Sequence, residues 1–161
     1  MHNRISAMLT SLLMAVLVLT ATAQSMQPWF GTWKLNLAKG VNRVGVAAAP
    51  PTANTTVLDM VNGVMRITAD AVSGDGVKTH TVTMAAFDGK EHPVEGAALP
   101  TTRTFKWVDD HHYEWVTKVN GRVTTTTRLE LSRDGKTQTL VTTGKSASAQ
   151  QVDNTAVFER Q

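Results

Sequence analysis

Apolar and polar residues alternate along most of the chain, in short runs separated by turn residues. In the run 64–71, Met65, Ile67 and Ala69 alternate with polar residues such as Arg66. A period of two predicts a β-strand with one apolar and one polar face. The same alternation predicts inward-facing residues in two later runs: Tyr113, Trp115, Thr117 and Val119, then Val123, Thr125, Thr127, Leu129 and Leu131.

Turn signals punctuate these runs at regular intervals. Asn62-Gly63 and Asn120-Gly121 are typical of two-residue hairpin turns, because both residues tolerate a positive φ. Asp75-Gly76, Asp88-Gly89 and Asp134-Gly135 predict further tight turns. The resulting strands are expected near 30–35, 55–61, 64–71, 77–86, 102–108, 112–119, 122–131, 137–143 and 154–160, with a short tenth strand near 91–95 weakened by Pro93.

These strands predict an all-β fold. Because closure of one sheet removes its exposed edges, we expect a single up-and-down antiparallel β-barrel of nine or ten strands. Many inward positions are Thr, whose hydroxyl groups need hydrogen-bond partners, so a partly hydrated cavity is expected inside the barrel. The segment 36–52 is interrupted by Gly40 and Gly45 and closed by Pro50-Pro51. It is expected to be a short helix or a loop over the barrel mouth.

The chain begins with a short basic stretch and a 17-residue apolar run, 5–21, that ends in Ala21-Thr22-Ala23. This pattern predicts a signal peptide over 1–23, with 24–161 as one β-barrel domain. A membrane anchor is the alternative, but a spanning helix needs about 20 apolar residues and this run is shorter and broken by Ser and Thr. No membrane span is expected after cleavage. The protein is expected to be exported, either periplasmic or secreted.

Charge and cysteine content narrow the class of partner. Residues 1–23 contain Arg4 and no acid, so the formal net charge of +3 falls to +2 in the mature chain. This charge is too small and too dispersed to predict binding of nucleic acid. The chain has no cysteine, so the exported domain must be held by its core rather than by disulfides.

Two motifs at the ends of the mature chain resemble the calycin superfamily. Residues 31–35 read Gly-Thr-Trp-Lys-Leu, similar to the opening strand of lipocalins and fatty-acid-binding proteins, and 156–160 read Ala-Val-Phe-Glu-Arg, similar to their last strand. The resemblance implies that Gly31, Trp33 and Arg160 close one end of the barrel, with the guanidinium over the indole. The stretch from Trp29 onward also resembles uncharacterised exported bacterial lipocalin-like proteins.

One departure from that family bears on the ligand. Fatty-acid-binding proteins hold the ligand carboxylate with an Arg-x-Tyr pair in the last strand, where this chain has Ala156 and Phe158. A buried carboxylate without a donor is costly, so the ligand is expected to be neutral or to be anchored elsewhere. Arg103 shares the parity of Phe105 and Trp107, which predicts either a cavity anchor or, if the strand is bulged, an outward side chain.

Candidate chemistry elsewhere in the chain is weak. Asp109-Asp110-His111-His112 contains metal-ligand types, but adjacent turn residues point in diverging directions, so a turn is favoured over a metal site. No nucleophile elbow, catalytic Cys, phosphate loop or dinucleotide fingerprint is present. The chain is therefore not expected to be an enzyme, and no metal or cofactor is predicted.

The favoured hypothesis is an exported protein that binds or carries a hydrophobic or amphiphilic small molecule in the barrel interior. Two alternatives stay open: a filled barrel acting as a structural, protein-interaction or inhibitor module, and a barrel enzyme. An aromatic cluster can be core packing or a ligand site. The candidate ligand-binding residues are Arg103, Phe105, Trp107, Tyr113, Trp115 and Phe158.

Overall fold

The computed structural model describes residues 26–44 and 51–161, which form one antiparallel sheet. A short 3₁₀ helix, Gln27–Trp29, precedes the first strand. The strands are β1 Gly31–Leu35, β2 Val41–Val44, β3 Ala53–Val61, β4 Val64–Val72, β5 Lys78–Ala85, β6 Glu91–Pro93, β7 Thr101–Asp109, β8 His112–Val119, β9 Arg122–Leu131, β10 Thr137–Lys145 and β11 Gln151–Arg160. The predicted signal peptide, 1–23, lies outside the described residues.

Ten of the strands follow one another around a nearly closed barrel, in the order β5-β4-β3-β1-β11-β10-β9-β8-β7-β6. At the seam, β5 is joined to the residues just after β6, where the backbone groups of Val82 and Glu95 exchange hydrogen bonds of 3.1 and 2.8 Å. The prediction of an all-β, up-and-down barrel is therefore confirmed. No helix among the described residues is long and apolar enough to cross a bilayer.

The Asn-Gly pairs form the hairpin turns that the sequence predicts. Asn62 and Gly63 have φ of 51° and 79°, and Asn120 and Gly121 have φ of 50° and 75°. Two successive positive φ values define the type I′ turn, whose twist matches that of the strands it joins. These turns fix the register of β3 against β4 and of β8 against β9.

Three details differ from the expectations or extend them. Part of the segment expected to be a helix or a loop, 36–52, forms β2, which pairs with β11; residues 45–50 lie outside the described part of the chain. The short strand with Pro93 is present as β6 at the barrel seam. Val123, expected to face inward, is 64% exposed. A bulge sets Thr117 opposite Thr125 but Lys118 opposite Val123, so the alternation of faces shifts there.

The buried core fills one end of the barrel, here called the closed end, where the β3–β4, β7–β8 and β9–β10 turns lie. Large side chains without solvent access occupy it, among them Trp29 and Trp33. The core cluster comprises Trp29, Trp33, Leu58, Met65, Ile67, Ala85, Phe105, Tyr113, Trp115, Leu129, Leu131 and Phe158. Most of these residues come from alternate positions on successive strands, as a wrapped sheet requires.

Candidate ligand-binding site

The closed end is sealed by Trp33 and Arg160, which face each other across β1 and β11. Trp33 pairs in register with Arg160, whose guanidinium lies over the indole at 4.3 Å from the ring centroid. Arg160 Nε donates to the carbonyl of Gly135 at 2.7 Å and Nη1 donates to that of Phe30 at 2.5 Å. Nη2 donates to Pro28. One side chain thus ties the 3₁₀ helix, β1 and the β9–β10 turn together.

Gly31 is required at this seal by two features of its geometry. Its φ is +132°, and a Cβ built on it would lie 2.8 Å from Arg160 Nη1. Any larger residue would be strained in the backbone and would displace the guanidinium. The two indole N–H groups at the seal have acceptors, because Trp33 donates to the Trp29 carbonyl at 3.0 Å and Trp29 donates to that of Asp110 at 3.1 Å.

Above the seal, aromatic rings pack edge to face across the barrel. Trp29 and Tyr113 lie 4.6 Å apart between centroids, and Phe87 lies 5.1 Å from Trp107 and 6.0 Å from Phe105. Edge-to-face rings at such distances attract one another. Phe105 and Trp107, which the sequence suggested as ligand contacts, therefore belong to a packed aromatic layer rather than to an open surface.

A cavity of about 120 Å³ lies over this layer. Four of the six candidate ligand contacts line it: Arg103, Tyr113, Trp115 and Phe158. Phe105 and Trp107 do not. The remaining lining residues are Asn54, Thr56, Leu58, Ile67, Ala69, Leu129, Gln138 and Leu140. The walls are therefore mainly apolar, with a few polar groups, which is the usual composition of a small-molecule site.

Arg103 brings a positive charge into this cavity. Its guanidinium lies over the Trp115 ring at 4.8 Å from the centroid, and its Nε is buried with no hydrogen-bond partner among the described residues. Removal from water lowers the pKa of Arg103 to about 10, opposed in part by the nearby Tyr113. Arg103 is therefore still a cation at neutral pH. The same burial raises the pKa of the Tyr113 phenol.

Gln138 on β10 adds a second polar group that sequence reasoning missed. It is only 3% exposed, and its Nε2 is buried without a hydrogen-bond partner among the described residues. Its position in β10, opposite Leu131 on one side and Phe158 on the other, places it among apolar residues. The signal that could have identified it is the pattern of β10, where Gln138 and Leu140 share one face.

The last-strand positions that anchor a carboxylate in fatty-acid-binding proteins carry no polar side chain here. Phe158 is 5% exposed and lines the cavity, while Ala156 packs against the core from a partly buried position. Polar contact with a ligand therefore has to come from other strands, and Arg103 on β7 is the charged residue of the lining.

Asp109 to His112 form the β7–β8 turn, outside the barrel. Asp109 Oδ1 accepts hydrogen bonds from the His111 backbone N–H at 2.8 Å and from the His112 ring at 2.7 Å. Both contacts hold the pKa of the Asp109 carboxyl below its usual range, and the backbone hydrogen bond from His111 has the larger effect. The His111 ring contacts the Leu131 carbonyl at 3.0 Å. Over residues 26–44 and 51–161, no group of three potential ligand side chains converges as a metal site would require.

Comparison of the chain with protein-family models and with curated proteins finds no match. The barrel, with its single sheet and nearly closed seam, is compatible with a calycin-like fold.

Proposed function

We propose that the protein binds a small hydrophobic or amphiphilic molecule in the barrel cavity. The observation that carries this proposal is the cavity itself, which has apolar walls and buried polar groups without protein partners. A barrel whose only task is structural gains stability from complete filling, because each void forfeits packing contacts. Buried polar groups without partners add a further cost. A ligand in the cavity would fill the void and could provide acceptors for Arg103 Nε and Gln138 Nε2.

A binding role is favoured over a catalytic one by the chemistry of the lining. Among the described residues, the lining contains no His, Asp, Glu, Ser or Cys side chain. General acid–base and nucleophilic catalysis draw mainly on those residue types. We also propose membership of the calycin superfamily, supported by the seal of Gly31, Trp33 and Arg160, and export to the periplasm or the medium, supported by the signal-peptide pattern of 1–23.

Native mass spectrometry of the protein purified from its own host tests this function directly. A co-purifying small molecule that is released on unfolding is the expected result. A parallel thermal-shift panel of short acids, alcohols, amides and aromatic compounds is expected to contain at least one stabilising ligand, because binding to the native state alone raises its stability. Recovery of ligand-free protein together with no shift across the panel would contradict the proposal.

A filling variant locates the site. Ala69 lines the cavity, and Ala69→Leu adds three carbon atoms, enough to fill much of it. Ala98 is exposed on the β6–β7 loop, so Ala98→Leu is the matched control. Ala69→Leu is expected to abolish the thermal shift, whereas Ala98→Leu retains it. Equal shifts in both variants would place the ligand outside the barrel.

A further inference from the structure

We infer that the ligand is a small organic monoanion, a monocarboxylate, and that the Arg103 guanidinium binds its charge inside the barrel. The inference rests on the proposed function, because it specifies the chemistry of the molecule in the same cavity. It assigns to β7 the anchoring role that Ala156 and Phe158 cannot perform on β11.

Charge balance within the cavity is the first argument. Arg103 is the charged member of the lining, and the other polar members are amides and hydroxyls. Two cations on the outer surface show the usual arrangement, an acidic partner: Arg66 pairs with Asp59 at 2.5 Å, and Lys39 pairs with Glu159 at 2.8 Å. Arg103 is partly buried, and removing a charge from water without a partner is costly. An anion in the cavity would supply the charge that the protein does not.

The type of unpartnered atom is the second argument. Arg103 Nε and Gln138 Nε2 are both hydrogen-bond donors, and neither has an acceptor among the described residues. Native structures rarely leave such buried groups unsatisfied. A carboxylate offers two oxygen acceptors and matches the planar guanidinium, so it would supply Arg103 with the acceptor that the protein does not. An amide or an alcohol would satisfy them without neutralising the charge.

The size and walls of the cavity define the rest of the ligand. A cavity of about 150 Å³ can hold benzene, so the 120 Å³ here corresponds to about five or six heavy atoms. Tyr113, Trp115 and Phe158 offer aromatic surfaces to a flat or short branched body. A long-chain fatty acid does not fit within this volume. A single guanidinium would also leave a dianion half compensated in a low-dielectric site.

Matched acid and amide pairs test the charge independently of shape. Butanoate against butanamide, and 2-methylpropanoate against 2-methylpropanamide, are titrated into the full mature protein by isothermal calorimetry at neutral pH. Each acid is expected to bind at least about thirtyfold more tightly than its amide, because a buried cation discriminates against a neutral isostere. Arg103→Met is expected to weaken binding of the acids about 100-fold and to change binding of the amides less than about threefold.

Two further variants keep the test decisive. Arg128→Met removes an arginine whose side chain is 79% exposed, so it controls for loss of net charge and is expected to leave both affinities unchanged. Arg103→Lys keeps the charge without the planar fork and is expected to retain part of the affinity for the acids. Circular dichroism of each variant establishes that it is folded before titration.

The outcomes separate this inference from the proposed function. Amides that bind as tightly as acids, or an Arg103→Met protein that keeps its affinity for acids, would overturn the anion inference while the binding function stands. If no acid, amide or member of the thermal-shift panel binds, both fall together. Binding of the acids alone, lost in Arg103→Met and kept in Arg128→Met, supports both.

Discussion

Arg103→Met should stabilise the ligand-free protein, although it removes the residue on which ligand binding is proposed to depend. Arg103 carries its charge in an apolar cavity without an acidic partner. Methionine has a similar length, no charge and enough flexibility to fill the same space. The substitution therefore exchanges a partly desolvated cation for an apolar side chain of comparable reach.

The magnitude follows from the pKa of Arg103, which burial lowers to about 10. One pKa unit corresponds to about 1.4 kcal/mol, so keeping this group charged at neutral pH costs about 3 kcal/mol. The cation–π contact of the Arg103 guanidinium with Trp115 at 4.8 Å stabilises the wild type by about 1–2 kcal/mol. Methionine would lose this contribution. The net gain in the free energy of unfolding is therefore expected to be about 1–2 kcal/mol. For a domain of this size that raises Tm by about 3–8 °C.

Urea denaturation and calorimetry of the ligand-free proteins measure the difference. Arg128→Met is the control, since its exposed side chain lies 3.4 Å from Glu114 and exposed pairs contribute about 0–1 kcal/mol. A Tm for Arg103→Met that is unchanged or lower than that of the wild type would refute the reasoning. It would mean that the Arg103 charge is compensated within the protein and is not available to a ligand.

The pH dependence gives a second check with a definite sign. The folded-state pKa of Arg103 is lowered, so above about pH 10 the native state binds fewer protons than the unfolded state. Wild-type stability then gains relative to Arg103→Met as pH rises through about 10. Burial raises the pKa of Tyr113 beside Arg103, and removal of the Arg103 charge takes away an effect that lowers that pKa, so Tyr113 stays protonated around pH 10 in both folded proteins. The gap in stability between the two proteins should therefore narrow in alkaline buffer.

The closed end and the single tyrosine give four further predictions. Trp33→Ala is expected to lower the free energy of unfolding by about 3–5 kcal/mol, because Trp33 is 0% exposed; a loss below about 1 kcal/mol in urea denaturation would contradict the seal. Arg160→Ala should cost about 2–4 kcal/mol by the same assay, since it removes hydrogen bonds to three carbonyls, and Arg160→Lys should recover less than half. Gly31→Ala should lower the free energy of unfolding by about 1–3 kcal/mol in the wild type and by less in an Arg160→Ala background. A double-mutant cycle measures this difference, and equal losses in the two backgrounds would mean that the added methyl group does not clash with the guanidinium. Burial raises the pKa of Tyr113, so the folded protein keeps the phenol proton that the unfolded chain releases above about pH 10. The stability that this group contributes is therefore lost as pH rises, and tyrosinate absorbance should appear only when the protein unfolds.

Much of the fold could be predicted because its signals are local. The Asn-Gly pairs fix two hairpins through their own positive φ values, and alternation within each strand fixes which face is buried. β2 escaped prediction because its four residues are too few to display a period and its pairing with β11 is long-range. Val123 was placed on the wrong face because a bulge depends on the partner strand, which the alternation in β9 alone does not reveal.

The candidate site was predictable only in part, for a related reason. Parity placed Tyr113 and Trp115 on inward faces and left Arg103 open between an inward and an outward position; all three line the cavity. Parity does not say how far along the barrel axis a residue lies, so it could not separate Phe105, in the packed aromatic layer, from these cavity residues. Gln138 was missed because a glutamine in a strand usually faces solvent, although it shares the inward face of β10 with Leu140.

The position of β11 between β1 and β10 constrains the order in which the molecule can fold. Hairpins such as β3–β4 and β8–β9 join neighbouring segments and can form early, whereas Arg160 reaches the carbonyl of Phe30, 130 positions away in the chain. Contacts of such separation form slowly because the chain must first lose the entropy of a long loop. Until segment 151–160 inserts, β1 and β10 each present an open edge that another copy could pair with. Insertion of the last strand therefore also protects the folding chain from aggregation, because it covers both of these edges.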